Sequence, residues 1–93
     1  SVGYPWTSVA ITGASSGLGR ALAEACAAQG VLLHLSGRDE ARLAETARAC
    51  GSRGADVRAA VVDVTDPAAT EAWVRGAGRL DLVIANAGVS GGT

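Results

Sequence analysis

The chain has 93 residues, room for one domain at most, and a formal net charge of −1. A near-neutral balance excludes the basic face that a nucleic-acid or anionic-membrane binder needs. No apolar run approaches the ~20 residues of a membrane span, and no basic-then-apolar leader pattern opens the sequence.

Taken in chain order, the pattern predicts seven elements. Strand 1 covers about 7–12, with Val9-Ala10-Ile11 at its centre, and breaks into a turn carrying Gly13, Gly17 and Gly19. Helix 1, over 17–29, has apolar residues at Leu18, Ala21, Leu22, Ala25 and Cys26, the spacing of an amphipathic stripe. Gly30 is expected to close it at the C′ position. Strand 2 is the continuous run Val31-Leu32-Leu33-His34-Leu35, typical of a strand buried on both faces, with His34 as a packed core residue. Helix 2 runs from a cap at Asp39 to Cys50, with Leu43, Ala47 and Cys50 on one side and Gly51 after its end. Strand 3 spans Val57 to Val62. Helix 3 has Asp66 as cap and Pro67 at its first position, with Ala69, Ala72, Trp73, Gly76 and Ala77 inward. Glu71 and Arg75 form an outward i, i+4 pair. Strand 4 is Leu80 to Ala85, followed by a glycine-rich tail over 88–93.

Alternating strands and helices imply parallel strands joined by right-handed crossovers. The fold class expected is α/β, a Rossmann-type doubly wound parallel sheet of strand order 3-2-1-4. Residues 1–93 would be a single dinucleotide-binding half-domain, the second half of the fold being absent. The winding reverses between strands 1 and 4, and ligands bind outside the carboxyl ends of strands at such a switch point. The turns at Gly13–Gly19 and Asn86-Ala87-Gly88 would flank that crevice.

The chemistry expected there is anion binding. First-turn amides of a helix have no internal partners and point outward, and the helix dipole adds roughly 0.3–1 kcal/mol for an anion. Gly13 would turn the strand sharply, Gly17 would admit a pyrophosphate to the backbone, and Gly19 would allow close helix–strand packing. Ser15 and Ser16 add hydroxyl donors. The same turn could serve packing alone. About twenty residues past the glycines, dinucleotide folds place the group that reads the adenosine ribose: a carboxylate for NAD, an Arg for the 2′-phosphate of NADP. The sequence there is Ser36-Gly37-Arg38-Asp39. Gly37 removes the carboxylate and Arg38 offers a planar fork suited to phosphate, so NADP(H) is preferred over NAD(H). Arg38 could also be a solvated arginine at a helix start. Asp39, which could repel the phosphate, is expected to be occupied as a helix cap.

With Asp63-Val64 after strand 3 and Asn86-Ala87-Gly88 after strand 4, the chain resembles the short-chain dehydrogenase/reductase family. Thr12-Gly13-Ala14-Ser15-Ser16-Gly17-Leu18-Gly19 is similar to that family's cofactor-binding opening throughout. The resemblance implies cofactor contacts from Gly13, Ser15, Ser16, Gly17, Leu18 and Gly19. It further implies that Asp63 accepts from the adenine amino group with Val64 beside it. Asn86, Ala87 and Gly88 would stabilise the sheet and lie against the cofactor. Asp63 could instead be a turn residue ahead of helix 3, and Asn86 a left-handed turn residue.

Members of this family exchange hydride between a nicotinamide and a carbonyl or alcohol, using a Tyr-x-x-x-Lys pair and a Ser. Here all eight basic residues are arginines and the single tyrosine, Tyr4, precedes strand 1; Ser90 follows strand 4 too soon to serve. The expectation is therefore the cofactor-binding N-terminal portion of an NADP(H)-dependent oxidoreductase, inactive by itself. Its partners would be a small carbonyl or alcohol substrate, the remainder of its own chain and, when intact, further copies of itself. The alternative is a non-catalytic NADP(H)-binding module. A nucleoside triphosphatase would need a phosphate-loop Lys, and a methyltransferase an acidic residue near position 38. Cys26 and Cys50, both on apolar stripes, fit small core residues and a reducing cytoplasm. With no Met, the chain as given does not open on an initiator, so processing or trimming is expected.

Overall fold

The structure is a computed structural model and describes residues 6–86. Seven elements alternate along the chain: β1 (Ser8–Ile11), α1 (Gly17–Cys26), β2 (Leu32–Gly37), α2 (Glu40–Ser52), β3 (Asp56–Val61), α3 (Pro67–Gly76) and β4 (Leu82–Ile84). The strands form one parallel sheet of order β3-β2-β1-β4. This is the doubly wound arrangement expected from the sequence.

Register places Val9 beside Leu33 and Leu82, and Ile11 beside Leu35 and Ile84. Those side chains form the sheet side of the main core, which α1 and α2 close with Ala23, Leu43 and Cys50. Cys26 packs against the same cluster. Burial pushes both thiols above their ordinary pKa, which keeps them protonated and unreactive. His34 is buried on the opposite face, and desolvation, with Arg58 nearby, lowers its pKa. Because β4 lies on the far side of β1 from β3, the right-handed rule assigns α3 to that opposite face. Among the described residues, no helix is long and apolar enough to cross a membrane.

The caps are as the sequence suggests. Asp39 accepts from the Arg42 amide at 3.1 Å and Asp66 from the Ala69 amide at 3.2 Å, with Pro67 opening α3. Glu71 and Arg75 pair at 2.8 Å on the solvent side.

The expected apolar stripe of α1 is rotated. Gly19 and Ala23 are its buried residues, whereas Leu18 is 64% exposed and Ala21 and Ala25 face solvent. Small residues are selected because the helix lies so close to the β1 turn that only they fit beneath it. The inward face of α3 is likewise offset: Ala69, Thr70, Trp73, Val74 and Ala77 are half-buried, while Ala72 and Gly76 are exposed. Helix ends shift too. α1 stops at Cys26, its cap Ala27 turning extended, and Gly30 (φ +84°) instead forms the turn into β2, where the Val31 amide donates to Ala28. α2 continues through Gly51 to Ser52, and Gly54 (φ +96°) makes the left-handed exit.

At the amino ends of the strands, one carboxylate joins β1 to β4. Asp81 Oδ2 accepts from the Thr7 amide at 2.8 Å, the Thr7 hydroxyl at 3.0 Å and the Ser8 amide at 3.1 Å. These donors favour the charged form and hold the Asp81 pKa below the usual carboxylate range. A depressed folded-state pKa stabilises the fold above the ordinary carboxylate value, and the benefit is lost as pH falls through the folded value. Asp81→Asn is therefore expected to lower Tm at neutral pH, with the wild-type and variant curves converging on acidification. Thermal melts from neutral to strongly acidic pH check this, and a gap independent of pH would show that the charge is irrelevant.

Candidate functional site

The carboxyl ends of β1, β2 and β4 meet around the turn at residues 12–16. Ile11 is the last residue of β1, but the ladder continues one step, the Thr12 amide donating to Ile84 at 3.0 Å. Gly13 then takes φ +65°, in the left-handed region open to glycine, and the chain leaves the sheet. On the β2 side the Ala14 amide donates to the Ser36 carbonyl at 2.8 Å. From α2, the buried Thr46 hydroxyl donates to the Ala14 carbonyl at 3.0 Å.

On the β4 side, Asn86 provides the clasp. Its Nδ2 donates to the Gly13 carbonyl at 3.2 Å and to Ser16 Oγ at 3.3 Å, and its own carbonyl accepts from the Thr12 hydroxyl at 3.1 Å. No residue other than glycine among those described has positive φ, so the reading of Asn86 as a left-handed turn residue does not hold. Asn86 acts through its side chain instead. The Gly13 carbonyl accepts as well from the Ser16 amide at 3.3 Å and the Ser16 hydroxyl at 2.9 Å.

The glycines differ in what they permit. A Cβ on Gly19 would overlap the Gly13 carbonyl oxygen and crowd Asn86 Nδ2, so Gly19 is where α1 touches the turn. A Cβ on Gly13 would lie 2.6 Å from the Asn86 carbonyl oxygen. Gly17 borders open space, with no protein atom within 4 Å of where its Cβ would be. Gly37 is closed against Ser15, whose Oγ would lie 2.6 Å from a Cβ there. The end of β2 therefore has no room for a side chain at 37 unless Ser15 moves.

Two clefts open on this framework. One, of about 370 Å³, is lined by Ser15, Ser16, Arg38, Asp39 and Arg42. The other, of about 250 Å³ and mainly apolar, is lined by Thr12, Val64, Thr70, Ala85 and Asn86. The predicted residues thus divide: Ser15, Ser16 and Arg38 face the polar cleft, Val64 and Asn86 the apolar one. Leu18 is exposed beside Gly17 at the mouth of α1. Ala87 and Gly88 lie outside the described residues, as do Tyr4 and Ser90.

The helix N-termini contrast sharply. α2 and α3 are capped by carboxylates, but the N-cap of α1, Ser16, makes no side-chain bond to its own first turn. Its hydroxyl is spent on Gly13, which leaves the first-turn amides of α1, next to the polar cleft in sequence, without a side-chain cap. Among the described residues, Arg38 forms no ion pair or hydrogen bond through its guanidinium. Asp63 does act as a turn residue: its Oδ1 accepts from the Thr65 amide at 2.9 Å and the Thr65 hydroxyl at 2.7 Å. Those bonds, with Arg38 nearby, hold its pKa down. The second carboxylate oxygen remains open to a donor. An anion-accepting helix mouth, a free guanidinium and an open carboxylate fit the phosphates and adenosine of a dinucleotide.

Three participants escape the sequence pattern. Arg42 lines the polar cleft one helical turn beyond Arg38, a spacing visible in the sequence but unweighted there. Thr46 falls between Leu43 and Cys50 on the buried stripe of α2, a polar residue at an apolar position. Thr70 presents a buried hydroxyl with no partner to the apolar cleft, and nothing local distinguishes it.

A family model described as short chain dehydrogenase matches residues 7–93. A Streptomyces violaceoruber protein, provisionally named ketoacyl reductase 1 of the granaticin polyketide synthase, is 45% identical over 86 residues, covering 88% of this chain and 32% of that protein. The chain spans about a third of the length of the first curated relatives it matches. Among solved structures, L-sorbose reductase from Gluconobacter frateurii, complexed with NADPH and L-sorbose, superposes with a TM-score of 0.77 at 37% identity, covering 91% of this chain and 34% of that one. A short-chain dehydrogenase/reductase from Burkholderia phymatum in complex with NAD gives 0.74 at 37% identity, covering 83% and 29%.

The two helix-mouth glycines should respond differently to a methyl group. Gly19→Ala is expected to destabilise by about 1–3 kcal/mol or more through overpacking. Gly17→Ala should shift stability by no more than about 1 kcal/mol, in the direction of helix propensity. Urea unfolding of both variants checks this, and equal effects would count against the close approach at Gly19.

Proposed function

The chain belongs to the short-chain dehydrogenase family, and on that premise we propose that it is the cofactor-binding N-terminal portion of an NADP(H)-dependent oxidoreductase. Residues 1–93 form one nucleotide-binding half-domain in this reading, and the strands and catalytic residues that complete it follow Thr93. Support comes from the share of its relatives' length that the chain spans, about a third. It comes also from β4, which pairs only with β1 among the described strands. An unpaired edge on a largely apolar sheet is a hazard unless another segment covers it.

The observation that carries the cofactor choice is the free guanidinium of Arg38 beside a closed position 37. Solved relatives hold NAD in one case and NADPH in another, so the preference rests on this chain's own residues. Gly37 offers no carboxylate to bind a 2′-hydroxyl, and a side chain there would have to displace Ser15. Arg38 is available for a 2′-phosphate, which it can grip with two parallel N–H groups. The first-turn amides of α1 and the Ser15 and Ser16 hydroxyls would hold the pyrophosphate, with Gly17 leaving the approach clear. Gly13 and Gly19 shape that turn, and Leu18 would flank the dinucleotide. Asp63 would accept from the adenine amino group through its open oxygen, with Val64 beside it. Asn86 would position the wall from β4, followed by Ala87 and Gly88.

A bound nicotinamide supplies the hydride that is exchanged with a carbonyl or alcohol carbon. What this chain's residues contribute is binding, orientation and electrostatic selection of that cofactor. The proton donor and the substrate pocket belong to the remainder of the protein, for which a cytoplasmic homo-oligomer is the working picture. A non-catalytic NADP(H)-binding module is the second reading.

Two measurements test the proposal. In the intact protein, Arg38→Ala should weaken NADPH binding roughly tenfold to a hundredfold while leaving NADH nearly unchanged, as expected for loss of charge-assisted hydrogen bonds. Equal losses for both nucleotides in a fluorescence titration would remove Arg38 from the phosphate site. In the encoding gene, a Tyr-x-x-x-Lys pair is expected downstream of Thr93. A reading frame that ends without one, together with NADPH binding and no turnover, would replace the enzyme reading by the module.

A further inference from the structure

The polar cleft contains a carboxylate where an anion is meant to bind. Asp39 is adjacent to Arg38 in sequence and lines the same cavity. Two outcomes would spoil the site: Asp39 could neutralise Arg38, or it could repel an incoming phosphate. In the structure both oxygens of Asp39 lie against Arg42, and among the described residues no ion pair joins Asp39 to Arg38. Oδ1 accepts from the Arg42 amide at 3.1 Å, and Oδ2 lies 3.6 Å from Arg42 Nε. The Arg42 side chain is 72% exposed and also lines the cleft. With Arg42 the charged lining is two guanidinium groups against one carboxylate. Without it the cleft would be electrically neutral.

We propose that Arg42 is a positioning residue for cofactor selection, holding the Asp39 carboxylate away from Arg38 so that the Arg38 guanidinium stays free for a 2′-phosphate. This rests on the NADP(H) reading and adds to it a second residue that acts through Asp39. The physics is a competition among neighbours. A carboxylate next to two arginines satisfies whichever geometry is best, and the helix decides which. Capping α2 points Asp39 along the helix axis toward the residue three positions on, which is Arg42. Arg38 lies before the cap. The cap thereby removes a competing anion from the phosphate site, and Arg42 completes the removal by neutralising the outer oxygen. A surface ion pair of this kind is worth little to stability. Its consequence lies in where the Asp39 carboxylate is held, since a carboxylate turned toward Arg38 would compete with a dianionic phosphate for that guanidinium.

The test is a double-mutant cycle in the intact protein. The variants are Arg42→Gln, Asp39→Asn and the pair together. Asn caps a helix about as well as Asp, so Asp39→Asn removes the charge and keeps α2. Calorimetric titration uses NADPH and 2′,5′-ADP against NADH and 5′-ADP, so no turnover is required, and thermal melts confirm folding. Arg42→Gln should weaken the two 2′-phosphorylated ligands about threefold to tenfold, with the other two unchanged. Asp39→Asn should bind the phosphorylated ligands at least as tightly as wild type, and in that background Arg42→Gln should cost little. A loss of the same size in both backgrounds would mean that Arg42 touches the phosphate directly, and would overturn the proposal. So would no loss at all, or an equal loss for NADH. Arg38→Ala is run alongside to separate the two ideas. If it is selective while Arg42→Gln is not, the NADP(H) reading stands and Arg42 falls. If it is unselective, the reading fails and takes the proposal with it.

Discussion

The contact on which the rest of the structure depends is the approach of α1 to the Gly13 carbonyl. A Cβ on Gly19 would overlap that oxygen, so the helix docks where only glycine can stand. The same carbonyl receives the Ser16 amide, the Ser16 hydroxyl and the Asn86 side chain. One acceptor thus gathers the end of β1, the start of α1 and the segment after β4. A buried carbonyl short of donors would be costly, so these partners also stabilise the turn. Because Ser16 spends its hydroxyl there, the first-turn amides of α1 receive no side-chain cap. The bonds that hold the turn are thus the same ones that leave this helix mouth without a side-chain cap.

From that contact the electrostatics of the crevice follow. The two carboxylates nearest the strand ends, Asp39 and Asp63, each have at least one oxygen committed to a local turn or cap. Local hydrogen bonds orient both groups before any ligand arrives, which cuts the ordering cost of binding. Arg38, at the exposed start of the β2–α2 connection, makes no ion pair or side-chain hydrogen bond among the described residues, though its charge acts on Asp63. Gly37 has a double consequence here. Its missing side chain lets Ser15 press against the end of β2, and it leaves Arg38 as the first charged residue after that strand.

The opposite end of the sheet is held differently. Asp81 gathers three donors from Thr7 and Ser8, and the Asp81 amide returns a bond to the Ser8 carbonyl at 2.8 Å. This latch lies at the amino ends of β1 and β4, away from the crevice. It fixes the pairing of two strands distant in sequence at the end opposite the Asn86 clasp.

Element types, their order and the N-terminal caps of α2 and α3 were legible from the sequence, because each depends on neighbours a few residues apart. Asp39 and Asp66 announce helix starts, Pro67 confirms one, and the apolar run over 31–35 can only be a buried strand. Even the strand order followed from alternation and the handedness of crossovers. The roles of Gly13 and Gly19 as turn and contact were readable from their spacing. What the tertiary structure alone decided depends on atoms far apart in the chain. The face of α1 that goes inward was set by the clearance above Gly13, not by the hydrophobicity of Leu18. The engagement of Thr46 with Ala14 required α2 to lie over the turn. Periodicity reports which residues are apolar, whereas close packing reports which of them fit.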